Sequence, residues 1–331
     1  MNGQLPTLNE PSPNAMITAE ELLEHAAADE AIVGLLEALY IGNQRLLTSM
    51  LGMLRADQIV EYLDTVRAIW RVLSAMGRDS QTARLKEAVA GLQFHSIDFL
   101  RRQATFVRTG DYQAEDAQAV YEEVYCSESV MREYLDGLLL TYIAWPNHYR
   151  LLQFYRNRYL SKEPRGRCLE IGPGHGFLAL LQLQADSGNT LLGVDISPHS
   201  VAFTDELLTV AGIDRARFEI CEGDATNDFA GVTGRFDRIV MAEVIEHVEQ
   251  PQTLLRSAVK HSHPETLLFL STVVNIEAID HLYLYRSLDE VREMVDECGL
   301  AIVDELDLPL EFADAPADSF EVALVCRPQP Q

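Results

Sequence analysis

The stretch from Cys168 to Gly176 constrains the fold of this chain more than any other. A short apolar run, Cys-Leu-Glu-Ile, leads into three glycines at alternate positions, Gly172, Gly174 and Gly176, and then into the helix-like sequence Phe-Leu-Ala-Leu-Leu. A buried strand that passes through a glycine turn into a helix is the first unit of a nucleotide-binding α/β sheet. Glycine permits the tight turn and the close approach of a ligand to the backbone. The sequence therefore predicts a ligand-binding turn here.

The spacing of these glycines distinguishes between classes of ligand. A dinucleotide pyrophosphate is bound by G-x-G-x-x-G, whereas this turn reads E-x-G-x-G-x-G with Glu170 as its first residue. A carboxylate at that place repels a diphosphate and suits a ligand that carries an ammonium group. The pattern argues against a nicotinamide-dependent oxidoreductase, which is the first alternative for such a sheet.

Three further apolar segments end in acidic residues. Thr190-Leu-Leu-Gly-Val leads to Asp195 and Ile196, the segment from residue 217 leads to Asp224 and Ala225, and the segment from residue 235 leads to Glu243. An acid about 20 residues beyond the glycine turn is placed to accept hydrogen bonds from a ribose diol. Parallel strands present their carboxyl ends at one edge of the sheet, where ligands bind. We expect all four turns to face the same ligand.

The E-x-G-x-G-x-G motif, followed in order by these acids, resembles motif I and its companion motifs in the class I S-adenosylmethionine (SAM) methyltransferases. The resemblance covers about residues 162–327 and is closest to the small-molecule branch that includes the ubiquinone-type O-methyltransferases. It implies an α/β fold, with a Rossmann-like seven-stranded sheet that ends in an antiparallel hairpin, and SAM as cofactor, with Asp224 on the adenine amino group. The implied cofactor-binding residues are Glu170, Gly172, Gly174, Gly176, Asp195, Ile196, Asp224, Ala225 and Glu243.

Acidic and imidazole side chains follow the fourth and fifth strands. Glu243, Glu246 and His247 have the i, i+3, i+4 spacing of one side of a helical turn, and His281 comes after the fifth strand. Two carboxylates and two imidazoles can hold Mg²⁺, Mn²⁺ or a similar ion. The set resembles the metal site of small-RNA 2′-O-methyltransferases, which implies all four residues as ligands. We expect His281, His247 and Glu243 to be the catalytic residues.

Several alternatives remain open for this cluster. His281 or His247 could act as a general base without a metal. The two carboxylates could instead bracket a cationic amine or guanidinium, which would make the reaction N-methylation. A peptide could be the acceptor, or the domain could bind SAM without catalysis. We expect methyl transfer to a hydroxyl group of a small molecule, such as a secondary metabolite.

The chain upstream of the glycine turn has helical periodicity and no catalytic motif. We expect a disordered tail over residues 1–17, a helical domain over 18–161 and the catalytic domain over 162–331. Aromatic residues crowd the last helices, either as core that packs on the sheet or as a lid that selects the substrate. They are Tyr121, Tyr125, Tyr134, Tyr142, Trp145, His148, Tyr149, Phe154, Tyr155 and Tyr159.

Composition limits the partners. The net charge is −25, so a nucleic-acid backbone or an anionic membrane surface is a poor partner, and the expected partner is a small molecule. No apolar run is long enough to span a bilayer. Five cysteines without C-x-x-C pairing favour the cytoplasm. A homodimer is compatible with the sequence.

Overall fold

The computed structural model describes residues 17–41, 44–77, 80–110, 112, 116–226, 232–310 and 318–330. The predicted tail lies outside these residues apart from Ile17, which is buried. None of the described helices is both long enough and apolar enough to cross a bilayer.

The described chain before residue 161 is helical, as expected from its periodicity. Thr18 caps the first helix with a reciprocal Thr18–Glu21 capping box, and Ser80 caps the longest helix by accepting a hydrogen bond from the Ala83 N–H. Gly110 ends that helix in the left-handed conformation. The helices are α1 Ala19–Ala26, α2 Glu30–Ile41, α3 Gln44–Met53, α4 Ile59–Ala75, α5 Gln81–Thr109, α6 Ala117–Val120, α7 Glu128–Ala144 and α8 Pro146–Phe154.

Two of these helices continue as π-helical turns, which sequence periodicity does not predict. α6 continues through Tyr121–Tyr125 and α8 through Tyr155–Leu160. Such turns shift the phase of side chains along a helix and occur often at functional sites. The first of them places Tyr125 over the sheet edge described below.

The remainder of the chain forms the predicted seven-stranded sheet. The strands are β1 Arg167–Ile171, β2 Thr190–Asp195, β3 Phe218–Glu222, β4 Arg238–Ala242, β5 Leu267–Val274, β6 Leu300–Pro309 and β7 Phe320–Pro328. Their order is β3-β2-β1-β4-β5-β7-β6, with β7 antiparallel to both neighbours. Helices α9 Phe177–Ala185, α10 Pro198–Val210, α11 Pro251–Lys260 and α12 Leu288–Glu297 connect the strands. Rossmann-like topology and the antiparallel final hairpin are confirmed.

The hydrophobic core lies on both faces of the sheet. All eight residues of β5 are buried, as expected for a central strand covered on both sides. On one face the core of the N-terminal helices continues into the sheet. There Tyr155 and Tyr159 pack on Phe269, with their ring centroids 4.9 and 5.6 Å from that of Phe269. The part of the aromatic cluster nearest the sheet is therefore core.

A buried arginine joins the helical region to the sheet. Arg238 on β4 donates to the backbone oxygens of Tyr159, Lys162 and Pro164 and lies 4.6 Å from the Tyr159 ring centroid. These carbonyls are satisfied without water, so the polar segment before β1 can pass close to the core.

Candidate active site

A cavity of about 1280 Å³ lies at the carboxyl edge of the sheet, beneath the N-terminal helices. It brings together every residue predicted to bind the cofactor except Gly176, which is the N-cap of α9 behind the turn. It also brings together Glu246, His247 and His281. Six of the predicted aromatic residues face it from the helical side: Tyr121, Tyr125, Tyr134, Tyr142, Trp145 and His148.

The glycine turn has the backbone conformation that its sequence predicts. Gly172 has φ 63°, and a Cβ atom there would lie 2.7 Å from Cγ2 of Val244, so only glycine fits. Gly174 has φ 54° and faces open space, because a Cβ atom there would have no neighbouring heavy atom closer than 4.0 Å. This space beside exposed backbone is what a bound ligand requires.

The acid at the end of β2 is hydrogen-bonded to this turn. Asp195 is buried; its Oδ2 accepts from the Gly174 N–H at 3.1 Å and its Oδ1 from the Ser197 N–H at 2.9 Å. Each oxygen keeps a second lone pair that could accept from a ribose hydroxyl. Ile196 is 38% exposed and lines the cavity next to it. The pair could therefore hold a ribose and cover an adenine ring.

The acid at the end of β3 forms the far wall of the same pocket. Asp224 accepts from the N–H and hydroxyl of Thr226 at 2.8 and 2.6 Å, and Ala225 lies between them at the cavity wall. This turn fixes the carboxylate in place. The assignment of Asp224 to an adenine amino group stays a prediction.

Glu170 lies under the turn rather than in solvent. Its Oε2 accepts from Gln182 Nε2 at 2.8 Å, and burial raises the pKa of the carboxyl to about 8. A carboxyl with that pKa is largely protonated at neutral pH when no cation lies beside it. A bound ammonium group would favour the carboxylate form, because opposite charge lowers an acid's pKa.

The backbone at Glu243 corrects one expectation. Glu243 does not belong to a helical turn with Glu246 and His247, because it has φ 52° and only Ile245–His247 forms a short 3₁₀ turn. A non-glycine residue in this conformation is strained and such strain is frequent at active sites. The side chain still lines the cavity, with Oε1 unpartnered among the described residues.

The two imidazoles of the cluster lie edge to face, with centroids 4.9 Å apart. Nδ1 of His247 is 2.9 Å from the Asp280 backbone oxygen, and Nδ1 of His281 is 3.1 Å from the Ile276 backbone oxygen. A carbonyl only accepts, so both Nδ1 atoms carry the proton. In the neutral form of each ring, Nε2 then carries no hydrogen and can accept a proton or bind a metal.

One donor atom from each of Glu246, His247 and His281 lies within 4.8 Å of the other two. Glu243 does not belong to this group, so the structure gathers three of the four expected ligands. Glu246 is buried: its Oε2 accepts from Thr272 at 2.8 Å, while Oε1 has no partner in the described part of the chain. Burial raises the pKa of this carboxyl well above 4.5.

Three residues at this site are not predicted from the sequence. Asp280 accepts from the hydroxyls of Tyr125 and Tyr134, and Glu321 of β7 faces the cavity. Helical periodicity is compatible with His95 at the surface. In the structure its imidazole stacks on Trp145, with ring centroids 5.2 Å apart, and lines the cavity. The isolated acid within the apolar sequence Phe320–Cys326 is a usable signal for Glu321. His95 has no such signal, because a polar residue on a helix can face either solvent or a polar cavity.

Comparison with known proteins bears on this site. Residues 144–305 match the family described as "Methyltransferase domain". The mitochondrial ubiquinone biosynthesis O-methyltransferase of Schizosaccharomyces pombe is 31% identical over 107 residues, 32% of this chain and 38% of that protein. Its Saccharomyces cerevisiae counterpart is 30% identical over 118 residues, 34% of this chain and 36% of that protein. The chain thus spans little more than a third of the length of these curated relatives.

A solved structure shows the same fold over more of the chain. The mitomycin 7-O-methyltransferase MmcR aligns with a TM-score of 0.50 and 16% identity, covering 92% of this chain and 99% of that one. Identity this low supports the fold alone. The match to the methyltransferase-domain family, the motifs and the strand order together support a class I S-adenosylmethionine-dependent methyltransferase domain within residues 144–305.

Proposed function

We propose that this protein transfers a methyl group from SAM to a hydroxyl group of a small-molecule acceptor. The observation that carries the proposal is the position of the two free imidazole Nε2 atoms, which share one cavity with the glycine turn and Asp195. The O-methyltransferase activity of the yeast relatives supports the same reaction class.

The residues of the turn would hold and orient the donor. Glu170 suits its ammonium group, Asp195 its ribose and Asp224 its adenine, each from the end of a different strand. When bound, SAM supplies an electrophilic methyl group on a cationic sulfur. Methyl transfer then depends mainly on aligning the acceptor with that group, which is a proximity effect.

His281 is the best-placed general base for the acceptor hydroxyl. Burial, and then the neighbouring His247, lower its pKa to about 4, so the ring is neutral at physiological pH. Nδ1–H is held by the Ile276 carbonyl, which leaves Nε2 to take the proton. The nearby Asp280 carboxylate favours the imidazolium that forms, because its charge raises the pKa of His281.

The same residues fit a divalent metal ion. Imidazoles whose Nδ1–H groups donate to carbonyls, together with a buried unpartnered carboxyl oxygen, are what a metal site with two histidines requires. Glu246, His247 and His281 would be the ligands. A divalent ion held there would lower the pKa of the acceptor hydroxyl. Glu243 would then lie beside the site rather than in it.

The helical region would exclude water and shape the acceptor pocket. Tyr125 covers the cavity from the π-helical turn that continues α6, and Tyr134 and Tyr142 cover it from α7. Burial raises the pKa of each well above 10. These hydroxyls stay protonated and act as hydrogen-bond donors. We propose that residues 18–161 select the acceptor, and that the protein works in a reducing compartment such as the cytoplasm, since its five cysteines are free.

A metal titration tests the role of the histidine cluster. We would titrate Mn²⁺ into the complex with S-adenosylhomocysteine (SAH) and compare wild type with His281→Ala and Glu246→Gln by calorimetry. Stoichiometric binding that both variants lose supports a metal-assisted reaction. If wild type binds no Mn²⁺, and methyl transfer to a catechol still proceeds in the presence of EDTA, His281 acts as a general base without a metal.

His263→Ala is a matched control for this titration. His263 lies outside the cavity, where its Nε2 atom is 3.2 Å from Oδ1 of Asp237. It should bind Mn²⁺ as wild type does. Loss of binding in this variant would show that the ion sits elsewhere.

A further inference from the structure

Glu321 is a buried acid that the proposed reaction does not use. It is the second residue of β7, is 2% exposed and lines the cavity. Its Oε1 atom has no hydrogen-bond partner among the residues that the structure describes. A buried carboxyl oxygen without a partner is costly, so its place in a ligand cavity points to a ligand that pairs with it.

The topology places Glu321 away from the donor-binding turn. It pairs with Val273 of β5, which also lines the cavity, and β7 is separated from β1 by β4 and β5. Three strand spacings correspond to roughly 14 Å. Glu243, at the end of β4, lies between the two regions. Glu321 therefore faces the part of the cavity left for the acceptor.

The surroundings of Glu321 favour a positively charged ligand group. Burial, and then the charge of Glu243, raise the pKa of the Glu321 carboxyl, and both acids line the same cavity. Among the described residues that line the cavity there is no lysine, and both arginines, Arg45 and Arg150, are exposed. A basic group from the ligand would relieve this repulsion.

Tyr142 of α7 is an aromatic residue that lines the same cavity. Burial, and then the charges of Glu243, Glu170 and Glu321, raise the pKa of Tyr142 well above 10, so its hydroxyl stays protonated. Aromatic rings attract cations through their faces. A buried acid and an aromatic ring that line one cavity favour a cationic ligand such as an alkylammonium group.

We propose that Glu321 binds a protonated amine of the acceptor, which is therefore an amino-substituted hydroxyl compound. This inference rests on the proposed O-methylation, since the amine is the recognised group and the hydroxyl is the methylated one. Glu321 would determine specificity by holding the amine at the far end of the cavity while the hydroxyl lies near His281.

Binding of two matched probes tests this assignment without turnover. Dopamine and 4-ethylcatechol share the catechol ring and differ by one amino group. Calorimetry on the SAH complex of the full chain should give a dissociation constant at least about tenfold lower for dopamine, or about 1.4 kcal/mol. Glu321→Gln should abolish this preference without changing the affinity for 4-ethylcatechol, and Glu321→Asp should retain part of it.

Glu219→Gln is the matched control, since Glu219 is an exposed acid on β3 and its loss changes the net charge equally. It should keep the full preference for dopamine. Dopamine that binds no more tightly than 4-ethylcatechol, or not at all, would overturn the assignment, as would a preference that survives in Glu321→Gln. A weaker SAH affinity in Glu321→Gln would place the carboxyl on the donor instead. Failure of O-methylation itself appears separately, as absent methyl transfer.

Discussion

The hydroxyl of Tyr134, on α7, donates a hydrogen bond of 3.1 Å to Oδ2 of Asp280, in the loop after β5. The same oxygen lies 3.2 Å from the hydroxyl of Tyr125 and 3.4 Å from Nδ1 of His247. Burial opposes ionisation, but His247, His281 and Tyr134 outweigh it and lower the pKa of Asp280 below 3.8. One buried carboxylate thus joins the helical cover to the histidine cluster.

Removing one hydroxyl from this junction should weaken both folding and catalysis. We expect Tyr134→Phe to lower the unfolding free energy by about 2 kcal/mol, the usual value of a hydrogen bond to a charged group. Turnover should fall about tenfold, because a loosened Asp280 positions His247 less well. Tyr283→Phe is the control, since that hydroxyl donates to Glu290 outside the cavity. Equal losses of activity in both variants would contradict a role of the junction in catalysis.

Asp195 should govern the affinity for the donor. Asp195→Asn keeps the shape of the side chain but turns one acceptor oxygen into a donor that faces the Gly174 or Ser197 N–H. We expect SAH to bind at least about tenfold more weakly, a loss of about 1.4 kcal/mol. Calorimetry would measure it, with Asp205→Asn as control, since Asp205 of α10 pairs with Arg215 outside the cavity. Unchanged SAH affinity would remove Asp195 from the donor site.

Glu170 should make the empty protein less stable as pH rises. Its pKa in the folded state is about 8 against an ordinary 4.5, so the folded state binds more protons between these values. Stability from this group is therefore present below pH 4.5 and is lost as pH rises towards 8. Glu170→Gln should match wild type near pH 5 and exceed it at pH 8, by up to about 1.4 kcal/mol per pKa unit crossed.

Urea unfolding at the two pH values measures this difference, with exposed Glu219→Gln as the control that should show none. The same Glu170→Gln substitution should weaken SAH binding, because the ammonium loses its carboxylate. A variant that is no more stable than wild type at pH 8 would show that Glu170 is ionised without cost.

Helices α5 and α7 approach closely where Gly91 meets Gly137, so we expect that no larger residue fits there. A Cβ atom on Gly137 would lie 2.4 Å from the carbonyl oxygen of Gly91. Gly137→Ala should lower the unfolding free energy by about 1–3 kcal/mol, as overpacking does. A Cβ atom on Gly34 of α2 would meet nothing within 4 Å, so Gly34→Ala should raise the unfolding free energy by up to about 1 kcal/mol. Similar denaturation midpoints for the two variants would contradict the close approach.

Much of the catalytic half could be predicted because its signals are local in sequence. The glycine turn and the acids at strand ends, such as Asp195 and Asp224, follow from strand length and turn chemistry over a few residues. The left-handed backbone at Glu243 could not be predicted, since the spacing to Glu246 and His247 is equally compatible with a regular helical turn. Its conformation depends on β4 and β5, whose Ser271 accepts from the Glu243 N–H.

The acceptor end of the cavity depends on contacts distant in sequence. Tyr134 and Asp280 are 146 residues apart, and Glu321 reaches the site only because β7 inserts between β5 and β6. Neither relationship has a periodicity or spacing that reveals it. For the same reason, the aromatic cluster divides between core and cavity lining in a way that composition alone does not predict.

Methyl transfer to a catechol by wild type and His281→Ala tests the central claim most directly. Mass spectrometry after incubation with SAM and either 4-ethylcatechol or dopamine would locate the new methyl group. We predict O-methylated product with wild type, and at least about a hundredfold slower transfer with His281→Ala, as expected for a lost general base, while SAH affinity stays unchanged. Product methylated on nitrogen, no transfer to either hydroxyl compound, or an undiminished rate in His281→Ala would contradict it.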